Sequence, residues 1–313
     1  MRPIGRTDLS VFPLCLGGNV FGWTVNERDG FAVLDQFAAA GGNFIDTADS
    51  YSAWVPGHVG GESETIIGNW MASRRIRDRM VIATKVGKAP GLNGLSPTTI
   101  RSAADASLRR LRVERIDLYY AHIDDPDTPL EDSLGAFTSL VREGKVRHIA
   151  ASNYTAPRLA EALAVSDREG FARYVALQPH YNLVHRTEYE GGLRDVCARE
   201  GLGCLPYYAL AKGFLTGKYR PGAHVDSVRA TGAAAYLDAQ GVTLLAALDD
   251  IASTHHTSVA AVSLAWLLAQ PTIVAPIASA RTVAQLAELL PAATLTLTVD
   301  EAARLGDLQK EAL

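Results

Sequence analysis

Short apolar runs alternate with helically spaced apolar positions along most of this chain. The runs lie at residues 14–17, 43–46, 81–85, 116–122, 148–152, 175–178, 202–207 and 273–277. They are β-prone and mostly apolar up to their polar ends, the reading of strands covered on both faces. Between them the apolar spacing turns helical. Ser96-Pro97 is a cap followed by a first-turn proline, and Ile100, Ala104, Leu108 and Leu111 then repeat on one face. Residues 130–143 end at Gly144, a helix stop. Residues 156–168, 188–200 (before Gly201), 259–269 and 282–290 also read as helices, with Ser258 as a cap and Thr282-x-x-Gln285 as a capping box.

Strict alternation of strand and helix predicts a parallel α/β fold. Eight units predict closure into a (β/α)8 TIM barrel with long active-face loops. One domain over 1–313 is expected, without a linker. Residues about 1–12 precede the first barrel strand, and Thr7-Asp8 suits the turn of a small β-hairpin capping the barrel floor. One interval stands out. About 65 residues separate the seventh and eighth runs, far more than a plain connection needs. The stretch from about 208 to 257 is expected to be a long loop on the active face.

Composition narrows the function classes. Hydrophobic residues make up 48% of the chain and charged residues 20%, which favours a large core over disorder. A net charge of −4, with no basic stripe, argues against electrostatic binding of nucleic acid. Cys15, Cys197 and Cys204 lack CxxC spacing and read as buried thiols. No apolar run reaches the ~18 residues of a membrane span, and no signal-peptide core opens the chain. A soluble cytoplasmic protein is expected. Oligomeric state is not readable.

Four polar residues close three of the runs: Asp46 and Tyr51 in NFIDTADSY, Lys85 in VIATK and His122 in LYYAH. Singly, each has a plain reading: a turn cap, a packed ring, a solvated amine, a core histidine. In a parallel barrel, strand ends share one face, and there the four make a general-acid set built on a phenol. A ketone becomes an alcohol by gaining a hydride on carbon and a proton on oxygen. A free phenol, with a pKa of ~10, is a poor acid at pH 7. Lys85 beside Tyr51 would ease its proton release, Asp46 would keep Lys85 charged and oriented, and His122 would polarise the carbonyl oxygen. A metal-dependent hydrolase would need more strand-end ligands than His122 and Asp46, so no metal is expected. Phe21, Trp23 and Trp54, on active-face loops, are candidate walls for a small carbonyl substrate.

The chain resembles the aldo-keto reductase family over nearly its whole length. The carrying segments are GGNFIDTADSY with GGESETIIG, VIATKVG, DLYYAH, GKVRHIAASNY, LQPHYNL, PYYALAKGFLTGKY and APIASARTVAQLAELL. The resemblance implies that Tyr51 donates the proton and that a nicotinamide C4 delivers the hydride. It implies a cofactor across the C-terminal face of the strands; no GxGxxG follows any strand. Ser152, Asn153 and Gln178 match positions that hold the nicotinamide carboxamide, and Tyr207 the ring that stacks on it. Residues 208–218, with Tyr208, Leu210, Lys212, Gly213 and Lys218, match a pyrophosphate strap. Arg229 matches a further cofactor contact. Ser279 and Arg281 fall where the ribose 2′-phosphate binds, which favours NADPH/NADP+ over NADH, and Gln285 and Glu288 match adenine contacts. Three positions depart from the family pattern: Ser279 stands where glycine is common, Leu289 where asparagine is, and Ala209 where proline is. The resemblance leaves open an NADPH-binding regulatory or sensor subunit with slow turnover.

Overall fold

A computed structural model describes residues 1–308; positions 309–313 of the expected domain lie outside the described residues. Eight strands form one sheet. They are β1 (Cys15–Gly17), β2 (Phe44–Asp46), β3 (Val81–Val86), β4 (Ile116–Ala121), β5 (Val146–Ser152), β6 (Tyr174–Gln178), β7 (Gly203–Cys204) and β8 (Ile277–Ala278). Their order is β7-β6-β5-β4-β3-β2-β1-β8, and each pairing is parallel. The ends of the sheet meet. Cys204 bridges Ile273, Val274 N–H donates to the Cys204 carbonyl at 2.9 Å, and Ile277 N–H to that of Pro206 at 2.8 Å. This is a (β/α)8 barrel, with helices between the strands.

The last two strands are shorter than the apolar runs suggest. Pro206 and Pro276 have no N–H to give, so each interrupts its ladder. The run 273–277 therefore meets β7 at its start and β1 only at Ile277 and Ala278.

Most helix signals work as local chemistry dictates. Ser96 and Ser258 each accept from the N–H three residues on. Two expectations are corrected. The helix expected at 188–200 begins at Gly192, because Gly191 (φ 113) takes a backbone few other residues tolerate. At Thr282 the capping box is half made: Thr282 Oγ1 accepts from Gln285 N–H, but Gln285 Oε1 reaches past it to the N–H of Arg281 at 2.9 Å. The stretch expected as a loop at 208–257 also differs. Its second half folds into helices Ala230–Ala234 and Ala239–Thr254, and Leu244, Leu245, Leu248 and Ile251 of the longer one are buried. Asp238 caps it by accepting from Gly241 N–H.

Two apolar clusters divide the barrel. One lies between strands and helices and holds Leu16, Ile45, Ile82, Tyr119 and Ile149. The other fills the interior with Phe44, Ala83, Leu118, Tyr120 and Leu205. An antiparallel pair, Arg2–Pro3 with Ser10–Val11, adds Ile4, Leu9 and Val11 to that interior. Register then levels the strand ends: Gly17 pairs with Asp46, Lys85 with Tyr120, and Ser152 with Gln178.

Helix Glu62–Arg74 crosses the end of helix Pro97–Leu111 at Gly68. A methyl there would stand 2.7 Å from the Leu111 carbonyl carbon and strike the Arg110 carbonyl oxygen. Gly68→Ala is expected to lower stability by about 1–3 kcal/mol through overpacking. Denaturant unfolding checks this; an unchanged midpoint would refute the close crossing.

Candidate active site

Asp46 is the last residue of β2, and the chain beyond it stays against β3: Thr47 N–H donates to Ala83 at 2.8 Å and Asp49 N–H to Lys85 at 3.3 Å. It then turns, with Tyr51 N–H donating to the Ala48 carbonyl at 3.3 Å. That turn returns Tyr51 to Lys85. The Lys85 ammonium is fully buried and uses all three protons, on Asp46 Oδ2 at 2.6 Å, the Thr47 carbonyl at 2.7 Å and the Tyr51 hydroxyl at 2.9 Å. Asp46 Oδ1 accepts from Gln178 Nε2 at 2.9 Å. His122 follows β4, and its ring centroid lies 6.2 Å from that of Tyr51. Its Nδ1 is buried without a partner among the described residues.

Burial first, then the Asp46 carboxylate, push the Tyr51 phenol well above its usual range. Lys85 does not acidify it on balance; the site holds the phenol protonated. Burial, followed by the charges of Lys85 and Lys88, pushes His122 well below its usual value, so the ring is neutral.

A cavity of about 620 Å³ opens on these residues. Every nominated site residue except Lys85 and Phe21 lines it. Lys85 lies just behind Tyr51. Phe21 is a correction: its ring is fully buried in the outer core, packed near Gly30 and Ile66, and forms no wall. Trp23 and Trp54 do stand at the cavity, edge to face at 5.5 Å, and Trp54 is 50% exposed.

The amide shelf is knit together. Ser152 Oγ donates to the Gln178 carbonyl at 2.9 Å, Asn153 Nδ2 to the His122 carbonyl at 2.8 Å, and the Tyr207 hydroxyl to Asn153 Oδ1 at 2.7 Å. Tyr207 also stacks on His180 at 5.3 Å, and His180 on His185 at 3.6 Å. Burial, then the neighbouring His185, bring His180 down to about 4, so the column is uncharged at that ring. Beyond it the backbone takes left-handed values at Tyr208, Ala211, Lys212 and Gly213, which turns this segment along the cavity. Ser279 Oγ donates to Asn19 Oδ1 at 2.5 Å, and Arg229 lies over the Trp23 ring at 5.6 Å.

Charge sets the character of the cavity. Lys88, Lys212, Lys218, Arg229 and Arg281 line it, against the carboxylates Asp46 and Glu288. Asp46 is neutralised by Lys85. None of the five cations makes a salt bridge among the described residues, although this chain pairs many of its other arginines. Fixed cations left without carboxylates make a receptor for an anion. No cluster of potential metal ligands occurs among the described residues.

The sequence profile of the Aldo/keto reductase family matches residues 13–310. The chain belongs to the aldo/keto reductase family. It is similar to the "Uncharacterized oxidoreductase YrpG" of Bacillus subtilis (strain 168), 34% identical with 97% of this chain and 94% of the relative covered. Protein tas of Escherichia coli (strain K12) is 33% identical over 95% of this chain and 94% of its own length. "Norsolorinic acid reductase B" of Aspergillus parasiticus is 31% identical over 94% of this chain and 80% of its own length.

This aldo/keto reductase carries two site features that reading its sequence missed. Lys88, two residues beyond β3, lines the cavity while remaining exposed to solvent. Asp49 is 2% exposed, and neither carboxyl oxygen has a partner among the described residues. Burial, then the charge of Glu64, lift it from 3.8 to about 7. Between those values the native state binds the extra proton, so stability falls as pH rises through the window and stays reduced above it. Asp49→Asn keeps the neutral shape. It is expected to stabilise the fold by roughly 2–3 kcal/mol more at pH 8 than at pH 5. Chemical denaturation at the two pH values tests this; an equal effect at both would contradict a raised carboxyl.

Proposed function

We propose that this chain reduces an aldehyde or ketone to an alcohol with NADPH. The observation that carries the reading is the Lys85 ammonium donating to both Asp46 and Tyr51 beneath a cation-lined cavity. The donor set fits the dinucleotide. Lys212, Lys218 and Arg229 would hold its pyrophosphate and Arg281 its 2′-phosphate, with Tyr207 under the nicotinamide. When bound, the nicotinamide supplies the hydride.

The chain's residues supply the rest. A substrate carbonyl oxygen between Tyr51 and His122 receives hydrogen bonds from the phenol and from the neutral imidazole. The protonated phenol holds the proton that a nascent alkoxide, a far stronger base than phenolate, requires. As that proton leaves Tyr51 Oη, the phenolate is met by the Lys85 ammonium already 2.9 Å away. Asp46 and the Thr47 carbonyl keep the ammonium from moving. Three buried free thiols support a reducing compartment, the cytoplasm.

Tyr51→Phe keeps the ring and removes the proton. Carbonyl-dependent oxidation of NADPH is expected to fall by roughly 10²–10⁴-fold, the usual share of a general acid. Fluorescence titration is expected to show NADPH binding changed little. Full turnover by this variant would refute Tyr51 as the donor. Negligible turnover by wild-type protein with every carbonyl tried, beside tight NADPH binding, would favour the sensor role. Arg281→Ala is expected to weaken NADPH by about 10–100-fold, the worth of a charge-assisted hydrogen bond. NADH should be nearly unaffected; equal losses for both would overturn the 2′-phosphate assignment.

A further inference from the structure

We propose that the substrate taken here is an aromatic carbonyl compound carrying a carboxylate, which Lys88 binds. The inference rests on the reductase reading and specifies its substrate.

Lys88 follows the positive-φ Gly87 and opens a small hairpin, Lys88–Ala89 with Leu92–Asn93, just beyond β3. It lines the same cavity as Tyr51 and His122. It is close enough to His122 for its charge to help keep that ring neutral. Its ammonium has no hydrogen-bond or salt-bridge partner among the described residues. Lys88 is exposed to solvent, and desolvation on its cavity side followed by the charge of Lys85 lowers its pKa.

Its place in the ring separates it from the other cations. Lys212, Lys218 and Arg229 follow β7, and Arg281 follows β8. In the closed order β7-β6-β5-β4-β3-β2-β1-β8, β3 stands opposite β7. A phosphate held by the segments beyond β7 and β8 leaves Lys88 without an anion. The group it faces is the substrate's.

The other walls on that side are aromatic. Trp23 and Trp54 meet edge to face at 5.5 Å, and Tyr51 and Trp54 at 6.2 Å. A half-exposed indole beside the reacting phenol offers its face to an aryl ring. An aryl aldehyde seated there puts its carbonyl at Tyr51 and His122 and a ring carboxylate within the reach of a flexible lysine.

The test is the ratio of kcat/KM for 3- and 4-carboxybenzaldehyde to that for methyl 4-formylbenzoate, a neutral analogue of similar shape. Wild-type protein is expected to favour the acids by roughly tenfold or more, the worth of one charge-assisted hydrogen bond. Lys88→Met should bring the ratio near one, Lys88→Glu below one, and Lys88→Arg should keep it. A wild-type ratio near one, or a ratio unchanged in Lys88→Met, overturns the proposal. Equilibrium titration of benzoate and benzamide, with and without NADP+, separates the two readings. Should no carbonyl be reduced, the reductase reading fails. Lys88 is then judged by binding: benzoate preference lost in Lys88→Met sustains its role, and equal binding of benzoate and benzamide ends it.

Discussion

A single buried ammonium sets the terms for this active site. Moving Lys85 out of water costs several kcal/mol, which returns only if every proton finds an acceptor. Asp46, the Thr47 carbonyl and the Tyr51 hydroxyl are those acceptors. They come from the end of β2 and the turn beyond it, while Gln178 from β6 holds the other oxygen of Asp46. The geometry of the phenol is thus tied to the neutralisation of a charge, and the barrel must close for both to hold. Loss of one partner from such a buried pair costs about 3–5 kcal/mol, because the other charge is left uncompensated. A site built this way is rigid because it is charged, which suits a reaction that needs a proton held at one point.

The cavity above it follows the opposite rule. Below, Lys85 and Asp46 are paired; above, five cations make no salt bridge among the described residues. Such an arrangement is unfavourable for the protein alone, since like charges repel. It is kept by loops on rigid strand ends, with strained left-handed residues at Tyr208, Ala211 and Lys212. Strain and unpaired charge together mark a surface shaped for something the chain does not contain.

Most of this was legible from residue order. Polar residues closing apolar runs at Asp46, Lys85 and His122 located three barrel strands and one face. What escaped has physical reasons. Pro206 and Pro276 break ladders that hydrophobicity alone extends. The helix Ala239–Thr254 lies in a stretch whose glycine and proline signals read as loop, and its buried leucines matter only once packed. Phe21 and Trp23 stand two residues apart, and nothing in one dimension says which ring turns inward. The direction of the Tyr51 shift depends on burial, which outweighs the neighbouring ammonium and is invisible in a sequence. That Lys88 lines the cavity without a salt bridge among the described residues is a fact about space.

Behind Lys85 and Asp46 lies a second buried charge layer. Glu64 accepts from Thr84 at 2.5 Å and from Arg110 at 2.7 Å, so its charge is spent on one guanidinium. Asp49 lies close enough to feel that carboxylate and has no guanidinium of its own. Two ionised carboxylates around one arginine would leave a net negative charge near Lys85. A proton on Asp49 removes that charge. Asp49 is thus coupled to Glu64, to Arg110 and more weakly to Lys85, while the Tyr51 phenol answers first to its own burial and then to Asp46.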